Sequence, residues 1–273
     1  MKKSISIIFF FLVLGCGSSF ANVHHVGPKG QFHSIQEAIN NSINGDTILV
    51  AQGVYKEKNI VINKSLVLIG DHYPILDGER QFEIISIKAD DVTFKGFKLI
   101  HSGTSSLIDI AGIKVYTRKG VTISDNILDG TFFGIYLEKS FNCLVENNKL
   151  TAYANTDQRS GNGIHCWQCD SIRILGNSIT GHRDGIYFEF VTNSVIWRNK
   201  SINNSRYGLH FMFSHNDAYI SNIFQNNSAG VSVMFSHGVK MFNNYFEDNW
   251  GDGSYGIFLK EITDSQIRGN KFL

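Results

Sequence analysis

The sequence predicts an all-β protein: a right-handed parallel β-helix, a solenoid of about 22-residue coils, with a short N-terminal capping helix. Three observations lead there. A Gly followed by an aliphatic residue recurs at Gly112, Gly134, Gly163, Gly185, Gly208, Gly230 and Gly256, and an Asn stands 14 residues after each, at Asn126, Asn148, Asn177, Asn199, Asn222, Asn244 and Asn270. The gaps from each Asn to the next Gly are 8, 15, 8, 9, 8 and 12 residues, so the paired part of a coil keeps its length and insertions are confined to one corner. Within a unit the pattern alternates with period two, as in Gly134-Ile135-Tyr136-Leu137-Glu138, which is strand and not helix. The 26 Gly and 25 Asn against two Pro fit many short turns that need unusual backbone angles, and parallel crossovers favour the right hand.

Taken in order, residues 1–21 read as a secretory signal peptide. Lys2 and Lys3 precede an apolar run over residues 5–14 that is too short to span a bilayer, and Ser19-Phe20-Ala21 offers a small-x-small cleavage site after Ala21. Cys16 leaves a lipoprotein route open. The expected leader takes the protein out of the cytoplasm, and no later segment is long and apolar enough for a membrane span. Residues 22–80 are expected to hold the cap helix and the first coils: Ser34 with Glu37 three residues on opens a short amphipathic helix, and Gly45-Asp46-Thr47-Ile48-Leu49-Val50 turns to strand. Residues 81–273 are the remaining coils. Phe272 falls in an inward column with no capping device after it, so further coils or a partner are expected there, and the C-terminal end is expected to be incomplete. The Asn column is expected to form a structural amide ladder. With 25 Lys+Arg against 24 Asp+Glu, the charge lacks the footprint of a nucleic-acid or anionic-membrane binder.

Function on a solenoid is written in its outward columns. Inward stand Val115, Leu137, Cys166, Phe188, Phe211, Val233 and Leu259, three residues after the Gly, and Ile123, Val145, Ile174, Ile196, Tyr219, Met241 and Ile267, eleven after it. Outward, two after the Gly, stand Lys114, Tyr136, His165, Tyr187, His210, Ser232 and Phe258; four after it stand Tyr116, Glu138, Trp167, Glu189, Met212, Met234 and Lys260. Met212-Phe213-Ser214-His215 recurs as Met234-Phe235-Ser236-His237, which stacks Met on Met and His on His about 4.8 Å apart. Thioether and imidazole together favour copper, Cu(I) above all, so the candidate metal ligands are His210, Met212, Met234, His215 and His237. One ion joins a Met to its His only if the chain turns between them. The alternative use of the two methionines is adaptable packing under a loop or a partner. His165, Trp167, Tyr187 and Glu189 make a candidate partner surface. Cys166 and Cys169 form a CxxC, but the alternation aims Cys166 inward, and core filling is the expected role of both and of Cys143, the alternative being that Cys166 and Cys169 pair or bind metal in an oxidising compartment. His182, Arg183, Asp184 and Glu189 offer acid, base and clamp for sugar chemistry, or a salt-bridged corner. Cleavage after Ala21 also creates an amine-x-His terminus at His24 suited to Cu(II).

The runs Gly163-Ile164-His165, Gly181-His182-Arg183-Asp184-Gly185-Ile186-Tyr187-Phe188-Glu189-Phe190, Arg206-Tyr207-Gly208-Leu209-His210-Phe211-Met212-Phe213-Ser214, Ala229-Gly230-Val231-Ser232-Val233-Met234 and Asn249-Trp250-Gly251 resemble NosD, the family of nitrous oxide reductase maturation proteins. The resemblance covers the coils from about residue 161 onward and includes outward positions that packing does not dictate. It implies a periplasmic β-helix accessory protein, not an enzyme. Such a protein works with the membrane and ATPase subunits of an ABC transporter and with a copper chaperone lipoprotein to load copper into apo nitrous oxide reductase. Family members are longer than this chain, in keeping with the uncapped end. The competing expectation is a carbohydrate-binding or polysaccharide-cleaving β-helix enzyme, with Trp167, Tyr187 and Phe258 stacking on sugar rings; against it, no paired carboxylates stand in adjacent outward positions.

Overall fold

The computed structural model describes residues 21–105, 107–153, 161–251 and 255–273. The signal peptide expected at residues 1–21, with Cys16, lies outside the described residues but for Ala21. The chain winds into a parallel β-helix, in which the described residues form three sheets of eleven, nine and ten strands. Two sheets are built of short strands, such as Thr122–Ser124 and Ile127–Asp129. The third has longer ones, Ala111–Tyr116, Phe133–Glu138, Asp184–Glu189 and Tyr207–Met212 among them. The sheets continue without a break past residue 80, since Ile75–Asp77 pairs in parallel with Lys98–Ile100.

The inward columns read from the alternation form the core. Val115, Leu137, Cys166, Phe188, Phe211 and Val233 are fully buried, and only in the last coil does the column open, at Leu259. Cys143, Cys166 and Cys169 are buried free thiols among these side chains. The repeating Gly has a steric cause. A Cβ on Gly163 would meet the Ile179 side chain and stand 2.6 Å from the Gly185 carbonyl oxygen of the next coil. The strand bends there, so the residue before the Gly and the residue two after it both face outward. Corners are made by left-handed residues: Asn142, Asn193, Asn216 and Gly238 at one, Asn147, Gly176 and Asn243 at another, all with φ between 50° and 69°. These residue types adopt that region most readily.

The Asn column is an amide ladder. Asn177 Oδ1 accepts from the Asn148 backbone N–H (2.9 Å) and from Asn148 Nδ2 (3.0 Å), while Asn177 Nδ2 donates to Asn199 Oδ1 (3.0 Å). Asn126 to Asn270 repeat the bond pattern. At the amino end the helix Ile35–Asn41 buries Ile35, Ala38 and Ile39, with Ser34 accepting from the Glu37 N–H as its cap. Glu57 of the next coil completes that terminus, accepting from the Ile35 and Gln36 amides at 2.7 and 2.9 Å.

Candidate functional site

The outer face of the long-strand sheet carries three parallel columns. Register is kept from coil to coil: His165 pairs with Tyr187, Tyr187 with His210 and His210 with Ser232, while Glu189 pairs with Met212, Met212 with Met234 and Met234 with Lys260. Met212 and Met234 are therefore neighbours on the outside, half-buried and apart from the core. The third column, just before the bend, holds Phe133, Asn162, Asp184 and Tyr207.

Bending brings that third column against the first and covers it. The rings of Tyr136, His165, Tyr187 and His210 follow one another along the axis in tilted and edge-on contacts, at centroid spacings of 4.4, 4.8 and 4.9 Å, and the Tyr207 ring lies 4.7 Å from that of His210. The four residues expected to form a partner surface, His165, Trp167, Tyr187 and Glu189, are unequally placed. His165 and Tyr187 are buried in this ladder, and Trp167 and Glu189 are half-buried. His210, expected open to solvent, is only 2% exposed. Alternation gives the side of a sheet on which a residue stands, not what covers it.

Hydrogen bonding sorts the imidazoles by what they can donate to a metal. Arg183 Nη2 donates to Asn162 Oδ1 (3.2 Å), which turns the Asn162 amide nitrogen toward His165 Nδ1 at 3.0 Å. His165 accepts at Nδ1, so its proton sits on Nε2 and no lone pair remains. Burial, then the Arg183 charge, pushes its pKa down to about 3. His215 is occupied in the same way, since its Nδ1 accepts from the His237 backbone N–H at 3.2 Å. The His215 and His237 rings stack at 4.0 Å. Burial, followed by the His237 charge, lowers the His215 pKa.

His210 is different. Neither ring nitrogen has a hydrogen-bond partner, and the buried Ser232 hydroxyl, next in the column, has none either. Met212 stands two residues from His210 on the same strand and the same face, and its sulfur accepts from the Tyr187 hydroxyl at 3.6 Å. Buried polar atoms without partners are rare in folded proteins. Those of His210 and Ser232 stand in the column next to the two aligned thioethers. The donor set of two thioether sulfurs and an imidazole nitrogen suits Cu(I).

The chain does turn between each Met and its His, at Phe213 (φ 49°) and Phe235 (φ 51°). The turn raises a stacked wall of Phe190, Phe213 and Phe235, at centroid spacings of 5.2 and 5.0 Å, between the thioethers and the stacked imidazoles in chain order. Sequence alternation gave no sign of it, because bulky aromatics are poor occupants of left-handed corners. Nor did it reveal a second amide ladder, Asn204–Asn227–Asn249, which supports the corner below the site. Elsewhere, His24 Nε2 is held by the buried Asp46 carboxylate at 2.8 Å, and its strand Val23–Val26 pairs with Thr47–Val50. Among the described residues no group of three His, Cys, Asp or Glu side chains forms a metal cluster, and no helix is long and apolar enough to cross a membrane.

Fold and face together define a β-solenoid with registered columns of His, Met and aromatic side chains on the outside of one sheet. The chain belongs to the NosD family: the family model, described as periplasmic copper-binding protein, matches residues 39–156 and 151–273. A probable ABC transporter binding protein NosD from Pseudomonas aeruginosa is 29% identical over 129 residues, 46% of this chain and 30% of that protein. A protein of the same description from Stutzerimonas stutzeri is 29% identical over 113 residues, 41% of this chain and 26% of its own length. The chain thus matches less than a third of the length of these relatives. In fold it is similar to pectate lyase Pel9A (TM-score 0.65, 15% identity, 93% of this chain and 80% of that one). It is also similar to the A-module of the Azotobacter vinelandii mannuronan C-5 epimerase AlgE6 (TM-score 0.62, 14% identity, 88% and 82%).

Proposed function

We propose that this chain handles Cu(I) as cargo, holding it between Met212, Met234 and His210 on the outer face of the long-strand sheet. The observation that carries the reading is the buried His210 imidazole, without a partner at either nitrogen, on the same face as two thioethers in direct register. Copper supplies the electrophile that these soft and borderline donors lack. His165 and His215 have their Nδ1 lone pairs engaged, so they shape and support the face, and His237 remains a donor on the far side of the Phe wall. Family membership supports a periplasmic accessory role, and the relatives' description as ABC transporter binding proteins supports work beside such a transporter. In that role the protein, exported by its leader, relays copper between a chaperone lipoprotein and apo nitrous oxide reductase, with the transporter's membrane and ATPase subunits as partners.

The polysaccharide-enzyme alternative rests on fold likeness alone. The rings of Tyr136, His165, Tyr187 and His210 touch one another at tilted and edge-on angles and are buried, so this ladder presents no open ring to a sugar. Cu(I) competition against a chromogenic chelator tests the proposal. The expected result is at least tenfold weaker competition by the Met212→Leu/Met234→Leu protein than by the unaltered one, and equal competition by the two would refute it.

A further inference from the structure

Two polar residues of the column before the bend face histidines of the ring ladder, and they give opposite instructions. Asn162, its amide oxygen taken by Arg183, points a donor at His165 and so places that ring's proton on Nε2. Asp184, one coil on, has only acceptors to offer. Its Oδ2 lies 3.8 Å from His210 Nδ1 and 3.6 Å from Arg183 Nε, and neither of its oxygens has a hydrogen bond although the carboxylate is completely buried. An unpartnered carboxylate facing an unpartnered imidazole, both shut from water, is relieved by a small closure that puts the His210 proton on Nδ1. The lone pair then stands on Nε2.

We infer that Asp184 is a positioning residue for His210: it selects the Nδ1–H tautomer and leaves Nε2 free as the nitrogen donor, while Asn162 silences His165 by the converse arrangement. Arg183 sets both, anchoring the Asn162 amide directly and lying against Asp184. A carboxylate behind a ligating histidine is a general device for orienting the ring and raising its basicity. The tautomer assignment stands on the metal-free protein, and its consequence for metal affinity rests on the copper reading proposed above. It gives the His182-Arg183-Asp184 corner a use that neither sugar chemistry nor a plain ion pair supplies.

Asp184→Asn tests this with almost no change in volume. Arg183 is expected to take the new amide oxygen, as it takes that of Asn162, so the amide nitrogen turns toward His210 and the ring changes tautomer. Long-range 15N–1H correlation spectra of the metal-free full chain should show His210 as Nδ1–H and His165 as Nε2–H. In Asp184→Asn, His210 should move to Nε2–H with His165 unmoved, and Cu(I) affinity should fall roughly 10- to 100-fold. Asp184→Ala, which offers neither acceptor nor donor, should lose the Nδ1–H preference without gaining the opposite one. If His210 is Nε2–H in the unaltered protein, or keeps its tautomer in both variants, the positioning role is overturned while the Met212/Met234 competition still judges copper. If the unaltered protein takes no Cu(I), the copper reading fails, and the spectra alone decide whether Asp184 sets the ring.

Discussion

Asp217→Asn isolates a pH dependence built into the core. Asp217 is wholly buried; one oxygen accepts from the Ser194 amide at 2.8 Å and the other has no partner. Burial pushes its pKa up from 3.8 to about 8, against the lowering by the Ser194 bond and with a smaller push from the Asp170 charge. An acid whose pKa rises on folding contributes stability that is complete below its unfolded value and is lost as pH rises through the folded one. Between roughly pH 4 and 8 the loss runs at about 1.4 kcal/mol per pH unit, reaching about 4 kcal/mol at pH 7. Asparagine keeps an acceptor for Ser194 and cannot ionise, but it places an unpaired amide donor where Oδ2 was, at a pH-independent cost of about 1–3 kcal/mol. The variant's advantage should therefore grow from pH 4 to 8 and level off above it. Urea unfolding of both proteins at pH 5, 7 and 9, with the denaturant slope checked for constancy, measures this. A stability difference that stays the same across the three pH values would refute the buried, proton-holding Asp217.

Three further outcomes follow from the packing. Asn177→Ala removes the side-chain bonds to Val145, Leu175 and Asn199 and takes away the acceptor of the Asn148 amides. It should cost about 3–5 kcal/mol in urea unfolding, and a cost under about 1 kcal/mol would deny the ladder its structural role. Gly163→Ala forces a methyl against Ile179 and the Gly185 carbonyl and should destabilise by about 2–3 kcal/mol, read as a lower melting temperature; an unchanged melt would contradict the bend. In the reduced native protein Cys143, Cys166 and Cys169 should stay silent to Ellman's reagent until denaturant is added, since all three are buried and burial pushes the Cys143 thiol up to about 12; prompt labelling of any of them would be a contradiction.

The fold was legible because a coil repeats its constraints. A Gly forced by a backbone approach, an Asn forced by a ladder and two inward columns recur at fixed spacing, and each recurrence is an independent vote for one register. The left-handed corners at Asn142, Asn216 and Gly238 account for the abundance of Asn and Gly in the composition. The site was legible only in part. Alternation placed Met212 over Met234 and His210 on their face, but it says nothing of the bend that folds Asp184 and Tyr207 over His210. Phe213 and Phe235 occupy left-handed corners against their own preference, so the wall they build could not be read from residue type. The second ladder stayed hidden because Asn204, Asn227 and Asn249 span three coils only, beyond the part of the coil whose length is constant.

Copper K-edge absorption of the Cu(I)-loaded protein bears most directly on what these residues hold. Two sulfur neighbours and one nitrogen neighbour are predicted around the metal, with the nitrogen lost in His210→Ala and the sulfurs lost in Met212→Leu/Met234→Leu. A spectrum of nitrogen and oxygen neighbours alone, or one unchanged in either variant, would contradict the assignment of copper to this face.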